Sequence, residues 1–333
     1  MRYARVNRTT REKVKRYMIR AFSIKRILCP YFANSEVIHF RYLQATTGLL
    51  VSGSTALQFF DRSSYEDSDL DIYVQHDFRI EIAQWLLSIG YVFVPRAACK
   101  GQSLEEALDT IYPCDHEGVS PSSPFFDSKS QGYFGRGVAN VYNFFKYNPE
   151  RKIQLITSHH TPLEIILNFH SSKFLPSDRN VILNKFVACV MNLISHDKAY
   201  CLYPRATLEE RRSLVYSTEG SRQQTAREKY QERGWTMIEN LSTGEVYDTR
   251  SAFSTIKRHL GDSMCWTISL PDFPWPDFIE TNTWALGYDD TLAPVMKFRV
   301  LLTDQLRYSY LVVDEEHEQL FWPAISPNVK RDQ

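Results

Sequence analysis

Gly48-Leu-Leu-Val-Ser-Gly-Ser-Thr-Ala-Leu-Gln-Phe-Phe60 and, beyond the polar stretch Asp61 to Asp67, Ser68-Asp-Leu-Asp-Ile-Tyr-Val74 are the segments on which the fold turns. The apolar run ending in Ser52-Gly53-Ser54 reads as a short buried strand that turns sharply. Thr55 to Phe60 reads as a short helix and Ser63 to Ser68 as a turn. Asp69-Leu-Asp71-Ile-Tyr-Val74 then alternates acid with apolar before running on as a strand. Residues two apart on a strand share a face, so Asp69 and Asp71 project together. Two such carboxylates repel one another and are costly to half-bury without a cation. A hard divalent ion removes that cost, and Mg²⁺ (or Mn²⁺) takes one or two carboxylates together with substrate phosphates. Gly53 lets the backbone approach a ligand closely, while the Ser54 hydroxyl and the N–H groups of the following helix suit phosphate oxygens. A helix cap followed by a solvated acidic turn is the competing reading. The order strand, Gly-Ser, helix, acidic strand favours a site for a metal-bound nucleoside triphosphate.

That arrangement resembles the nucleotidyltransferase fold of the DNA polymerase beta superfamily, whose signature is Gly-Ser or Gly-Gly, a helix, and Asp-x-Asp on the next strand. The resemblance implies that Asp69 and Asp71 hold metal ions and that Gly53 and Ser54 hold the triphosphate of a nucleotide whose nucleotidyl group passes to an acceptor hydroxyl. Ser52-Gly-Ser-Thr-Ala-Leu-Gln-Phe-Phe60, the Ser68-Asp-Leu-Asp71 element, Phe169-His-Ser171 and Met191-Asn192 look more narrowly like a group of fungal proteins with this fold, over roughly Ile38 to Arg212. The family carries a third carboxylate on a later strand, within a short apolar run. Here that run is Ile153-Gln-Leu-Ile156, which sets Gln154 at the third position. Glutamine neither takes a proton from a nucleophile nor lends charge to a metal. Two outcomes follow: a metal-dependent transferase with a replacement carboxylate from Glu66, Asp67 or Glu164, or a nucleotide-binding or scaffold domain without transfer.

Outward from this unit, Arg79 to Ile89 reads as a helix with Ile80, Ile82, Ala83, Leu86 and Leu87 on its apolar face and Gly90 as its C-cap. Tyr91 to Val94 reads as a strand. Gln102 to Ile111 is helical, with Ser103 and Glu106 as a capping box. Pro113 to Gly137 is a Ser- and Pro-rich loop or lid. Val141 to Lys146 and Lys152 to Thr157 form an antiparallel hairpin. A helix runs from Thr161-Pro-Leu-Glu164 to His170, and helical character returns over Cys189 to Ile194 and from Thr207. Lys297 to Leu302 and Arg307 to Val313 make a second hairpin. The expected architecture is α/β (α+β): a basic helical segment 1–37, a mixed sheet flanked by helices over 38–216, and a smaller α+β extension over 217–333. Lys173 to Ala188 interrupts a helical run with a proline and a polar cluster. Ser172-Lys173 can be encoded as AGT-AAG, a consensus intron donor, and Val187-Ala188 can supply an acceptor, so the stretch reads as a translated intron. Messenger RNA that consistently retains it would refute that.

Across its 333 residues the chain balances 39 Lys and Arg against 39 Asp and Glu, with 43% hydrophobic and 14% aromatic residues. This is globular composition, and it excludes wholesale disorder. No apolar run approaches the length of a bilayer span. The cysteines at 29, 99, 114, 189, 201 and 265 lack Cys-x-x-Cys or zinc spacing, and read as reduced thiols of an intracellular protein, cytoplasmic or nuclear. Arg2, Arg5, Arg8, Arg11, Lys13, Lys15, Arg16, Arg20, Lys25 and Arg26 oppose only Glu12 in the opening segment. Val14, Tyr17, Met18, Ala21 and Phe22 follow helical spacing within it. A solvated helix packed on the body, a nucleic-acid contact and an organelle leader are its three readings. His159, His160, His170, His196 and the Cys114-x-His116 pair fit no zinc template. Trp266, Trp275, Trp284 and the Lys229 to Trp235 segment suit packing better than base stacking.

Overall fold

Alternation of side chains along the acidic strand sets the architecture. In the computed structural model, which describes residues 7–65, 68–96, 99–111, 137–168, 187–215, 221–270, 278–290, 292–301 and 308–319, Leu70, Ile72 and Val74 enter one apolar cluster and Tyr73 enters another. A strand buried on both faces must be central, and this one is. The helices are α1 (Arg8–Ala21), α2 (Ile24–Leu28), α3 (Asn34–Thr47), α4 (Gly53–Asp61), α5 (Arg79–Ser88), α6 (Leu104–Asp109), α7 (Pro162–Asn168), α8 (Ser221–Glu232), α9 (Thr243–Val246) and α10 (Glu315–Gln319). Seven of the eight strands of the main sheet are β1 (Leu50–Ser52), β2 (Leu70–Gln75), β3 (Val92–Val94), β4 (Val138–Tyr147), β5 (Glu150–Ser158), β6 (Asn192–Ile194) and β7 (Lys198–Cys201). Two short strands, β8 (Arg212–Leu214) and β9 (Thr236–Ile238), pair apart from it, as do β10 (Lys257–His259), β12 (Thr283–Tyr288) and β13 (Pro294–Lys297). The remaining strands are β11 (Trp266–Ser269), β14 (Arg299–Leu301) and β15 (Tyr310–Val312).

The main sheet has the order β11-β7-β6-β1-β2-β5-β4-β3. Only β2 and β5 pair in parallel, and every other pairing in the sheet is antiparallel. The chain is thus a mixed α+β protein built on a mixed sheet. On one face, α2, α3 and α5 bury Phe40, Phe59, Ile72 and Leu155. On the other, α7 and the C-terminal strands bury Tyr73, Ile156, Leu193, Trp284 and Leu311. The C-terminal part therefore shares the core of the main sheet and supplies its edge strand, β11.

Several expectations are met. The β4–β5 and β14–β15 pairs are the two hairpins. Ser103 and Glu106 cap α6 reciprocally. Gly90 takes a positive φ of 89° after α5, and the Tyr91 N–H closes back on the Leu86 carbonyl. Other expectations are corrected. Cys189 to Ile194 is not helical: a single 3₁₀ turn, Ala188–Val190, leads into β6. That run is buried throughout, so it carries no helical period, and β1 and β7 both claim its backbone. The helix expected from Thr207 is a π turn, Arg205–Glu209, stopped before Arg211 at φ 52°. On α5 the inward face is Ile82, Ala83, Trp85 and Leu86, leaving Ile80 and Leu87 exposed. On α1, Tyr17 faces solvent while Val14, Met18 and Ala21 turn toward the body. The lid segment, Glu66, Asp67, His170 and most of 173–188 lie outside the described residues. No helix among the described residues is long and apolar enough to cross a membrane.

Candidate functional site

Ser52 ends β1 and is the N-cap residue of α4, and Gly53 makes the turn between them at φ 71°, in the left-handed region open to glycine. The Ser52 hydroxyl donates to the Asn192 carbonyl at 2.7 Å, which fixes the turn against β6. Ser54 is buried in the first turn of α4. Next to it, the Thr55 hydroxyl donates to the Asp69 carbonyl at 3.0 Å and ties that first turn to the entry of β2. Ser52 and Asp71 are direct partners across β1 and β2. Gly53, Ser54, Asp69 and Asp71, far apart in the chain, are in this way brought to one end of the strand pair. Tyr31 closes the neighbourhood by donating its hydroxyl to the Ser68 carbonyl, and burial pushes that phenol up to about 12.

Gln154 lies directly beside Asp71 in the parallel β2–β5 register. The same register carries on to Asn143 on β4, so Ser52, Asp71, Gln154 and Asn143 form a polar row across four strands of an otherwise apolar sheet. Asp71 is 2% exposed and Gln154 7%. The Gln154 amide donates to the Asn143 side-chain oxygen at 3.1 Å. One step along the face, Lys152 Nζ lies 2.5 Å from Asp69 Oδ2, and both side chains are partly open to solvent. Lys152 escapes a motif search because it is no part of Asp-x-Asp. The signal is its position, two residues before Gln154 on the strand that faces the aspartates.

Glu164 does not replace Gln154. It is buried with His160, whose Nδ1 lies 3.2 Å from its Oε2, and it packs against Gly137 beside His159. That is the far end of β5, about 13 Å from Gln154 at 3.3 Å per strand residue. Trp266 packs on Phe22 and Phe60, and Trp284, Tyr230 and Trp235 are buried, so these rings build core and not a stacking platform. One group the sequence reading passed over is Asp314, Glu316 and His317, whose ligand atoms converge. Lys257 already lies 2.5 Å from Asp314 and 3.3 Å from Glu316, so a cation is in place there.

No family matches the chain, and no similar curated protein or solved structure was found. The arrangement is therefore read from its own chemistry. Two oxygen donors on one strand face, a glycine turn and an inward-directed helix start suit a divalent cation and a phosphate chain together.

Proposed function

We propose that this chain is a nucleotidyltransferase-like protein that binds a nucleoside triphosphate with Mg²⁺ or Mn²⁺ at Gly53, Ser54, Asp69 and Asp71. The observation that carries the reading is the Ser52–Asp71 register together with the Thr55 bond to Asp69, which join the Gly-Ser turn to the acidic strand. Asp69 and Asp71 would hold the cation, and their hard oxygen donors fit Mg²⁺. Bound there, the ion supplies charge neutralisation for the phosphates. The α4 first turn and the Ser54 hydroxyl take phosphate oxygens. Lys152 balances Asp69 when no cation is bound.

Gln154 supports binding over transfer. An amide beside Asp71, already engaged with Asn143, offers no base for an acceptor hydroxyl. Transfer of a nucleotidyl group is the second reading, favoured by the retention of both aspartates. Calorimetric titration with ATP, GTP, CTP and UTP, with and without Mg²⁺, tests the first. We expect metal-dependent binding that Asp69→Ala with Asp71→Ala abolishes. Absence of binding by folded wild type would overturn it. Incorporation of label from α-labelled nucleotide into any acceptor would establish the second.

The exposed face of α1 supports nucleic acid as a partner. Arg8, Arg11, Lys13, Lys15, Arg16 and Arg20 are solvent-facing, a cluster of cations that suits phosphates. Binding to single-stranded RNA should weaken steeply with salt, each lysine or arginine removed lowering the log–log slope by roughly 0.7. A flat salt dependence would sink this partner.

A further inference from the structure

A cavity of about 490 Å³ lies on the same side of the main sheet as the aspartates but at the other end of β1 and β2. Its floor includes Leu50 and Gln75, and Gln75 is four residues beyond Asp71 along β2, about 13 Å away. Tyr73, 1% exposed, stands between them as a partition. The cavity is thus separate from the proposed triphosphate site, and the inference does not rest on that site.

Its walls come from five separate stretches of the chain and are braced against collapse. Gln44 donates to the Ile194 carbonyl at 3.0 Å, and the Arg41 guanidinium donates to the His196 carbonyl, which pins the β6–β7 turn to α3. The Tyr308 hydroxyl donates to the Thr46 carbonyl at 3.3 Å. Its ring lies 3.6 Å from where a Cβ would sit on Gly48, itself in the left-handed conformation that ends α3. The Asn282 side chain takes the Leu311 N–H at 2.7 Å and donates to Ile279 at 2.8 Å. A pocket held open in this way, and within the roughly 300–1,000 Å³ range of ligand sites, has the form of a preorganised binding site.

The lining chemistry selects the ligand. Tyrosines 42, 308 and 310 contribute rings, Gln44, Gln75 and Asn282 contribute amides, Thr46, Ser195 and Ser309 contribute hydroxyls and His196 an imidazole, whereas among the described residues no Asp, Glu, Lys or Arg lines the space. A charged ligand would lose part of its hydration and meet no carboxylate, ammonium or guanidinium from these residues. Aromatic rings with amide and hydroxyl partners suit a flat, neutral, hydrogen-bonding molecule. We propose that this cavity is a second ligand site that takes an uncharged planar heterocycle of nucleoside size.

The test titrates adenosine, guanosine, cytidine, uridine and the four free nucleobases into the full chain. We expect saturable binding of at least one. Ala45→Trp, which places an indole in the cavity from a half-buried helical position, should weaken that binding at least tenfold. The Asp69→Ala, Asp71→Ala variant should bind it as wild type does. Should Ala45→Trp fail to fold, the wild-type crystal soaked with the binding compound decides by where the compound sits. No binding of any of the eight, binding insensitive to Ala45→Trp in a folded variant, compound located elsewhere, or binding lost with the aspartates would each overturn the proposal.

Discussion

Placing a carboxylate at position 154 puts metal binding at Asp69 and Asp71 to a direct test. Asp71 and Gln154 are register partners on adjacent strands, both nearly inaccessible. Adjacent strands are about 4.8 Å apart, so Gln154→Asp brings a second negative charge to about 5 Å from Asp71. At an effective dielectric constant near 20, that repulsion is about 3 kcal/mol. The Gln154–Asn143 hydrogen bond is also lost, for about 1 kcal/mol more. The variant should therefore be about 4 kcal/mol less stable than wild type in EDTA, as measured by urea unfolding. A divalent cation at Asp69 and Asp71 would cancel most of the electrostatic part. Recovery of about 2.7 kcal/mol corresponds to free metal at 100 times its Kd, met at about 10 mM Mg²⁺ for a Kd near 0.1 mM. Gln154→Leu, which keeps both aspartates and adds no charge, should gain from Mg²⁺ only what wild type gains, so its deficit against wild type should be the same in EDTA and in Mg²⁺. If Gln154→Asp is equally destabilised in EDTA and in Mg²⁺, no metal is held by this pair and the reasoning fails.

Burial lowers the His76 pKa to about 4, and nearby Arg79 adds to the effect. The unfolded chain then binds the extra proton between pH 4 and 6.5, so stability should climb with pH across that window and be fully present above it. His76→Gln should flatten the climb in a urea series, and an unchanged slope would refute the assignment. Arg258 donates to both Asp262 oxygens and to the Leu202 carbonyl between the rings of Tyr203 and Trp284. Arg258→Met removes the counter-charge of a half-buried carboxylate that keeps the Met264 and Cys265 N–H donors, and should cost about 3 kcal/mol, against a loss under 1 kcal/mol if the pair were a surface one. Among the described cysteines, Cys29 is exposed while Cys189 and Cys201 are buried, and burial pushes the Cys189 thiol up to about 12. Ellman's reagent should label Cys29 in the native protein and reach Cys189 and Cys201 only on unfolding, as peptide mapping would report.

The elements nearest the candidate site were the most legible, because their signals are local. Gly53 marks a turn that needs a positive φ, and the alternation through Asp69, Asp71 and Tyr73 announces which residues share a face. Capping at Ser103 and Gly90 is likewise written within a few residues. What failed depended on partners remote in sequence. Asn192 to Ile194 became a strand because β1 and β7 flank it, and a run buried on all sides has no period to read. Trp85 displaced Ile80 and Leu87 from the inner face of α5 because Phe32, Phe40 and His39 offer rings for it to pack on. The edge strand β11 and the cavity beneath Tyr308 are made by chain more than 60 residues from the strands they join, beyond the reach of any window.

Lys152 and Gln154 belong to one physical argument. Along the shared face, β2 presents Asp69 and Asp71, and β5 answers with a lysine and an amide at the neighbouring positions. Three carboxylates would make a site that needs metal to be stable. Two carboxylates with an adjacent ammonium make one that stands without it. At the proposed site free Mg²⁺ would have to compete with Lys152 for Asp69, whereas a triphosphate brings its own cation and still offers Lys152 a net negative charge in exchange. Metal and nucleotide should accordingly bind with strong positive coupling, each raising the affinity of the other by the same factor. Lys152→Met separates the cases: it should raise affinity for Mg²⁺ alone, lower affinity for the Mg²⁺–triphosphate complex, and shrink the coupling. If Lys152→Met weakens both equally, the lysine is a structural partner of Asp69 and takes no part in exchanging one anion for another.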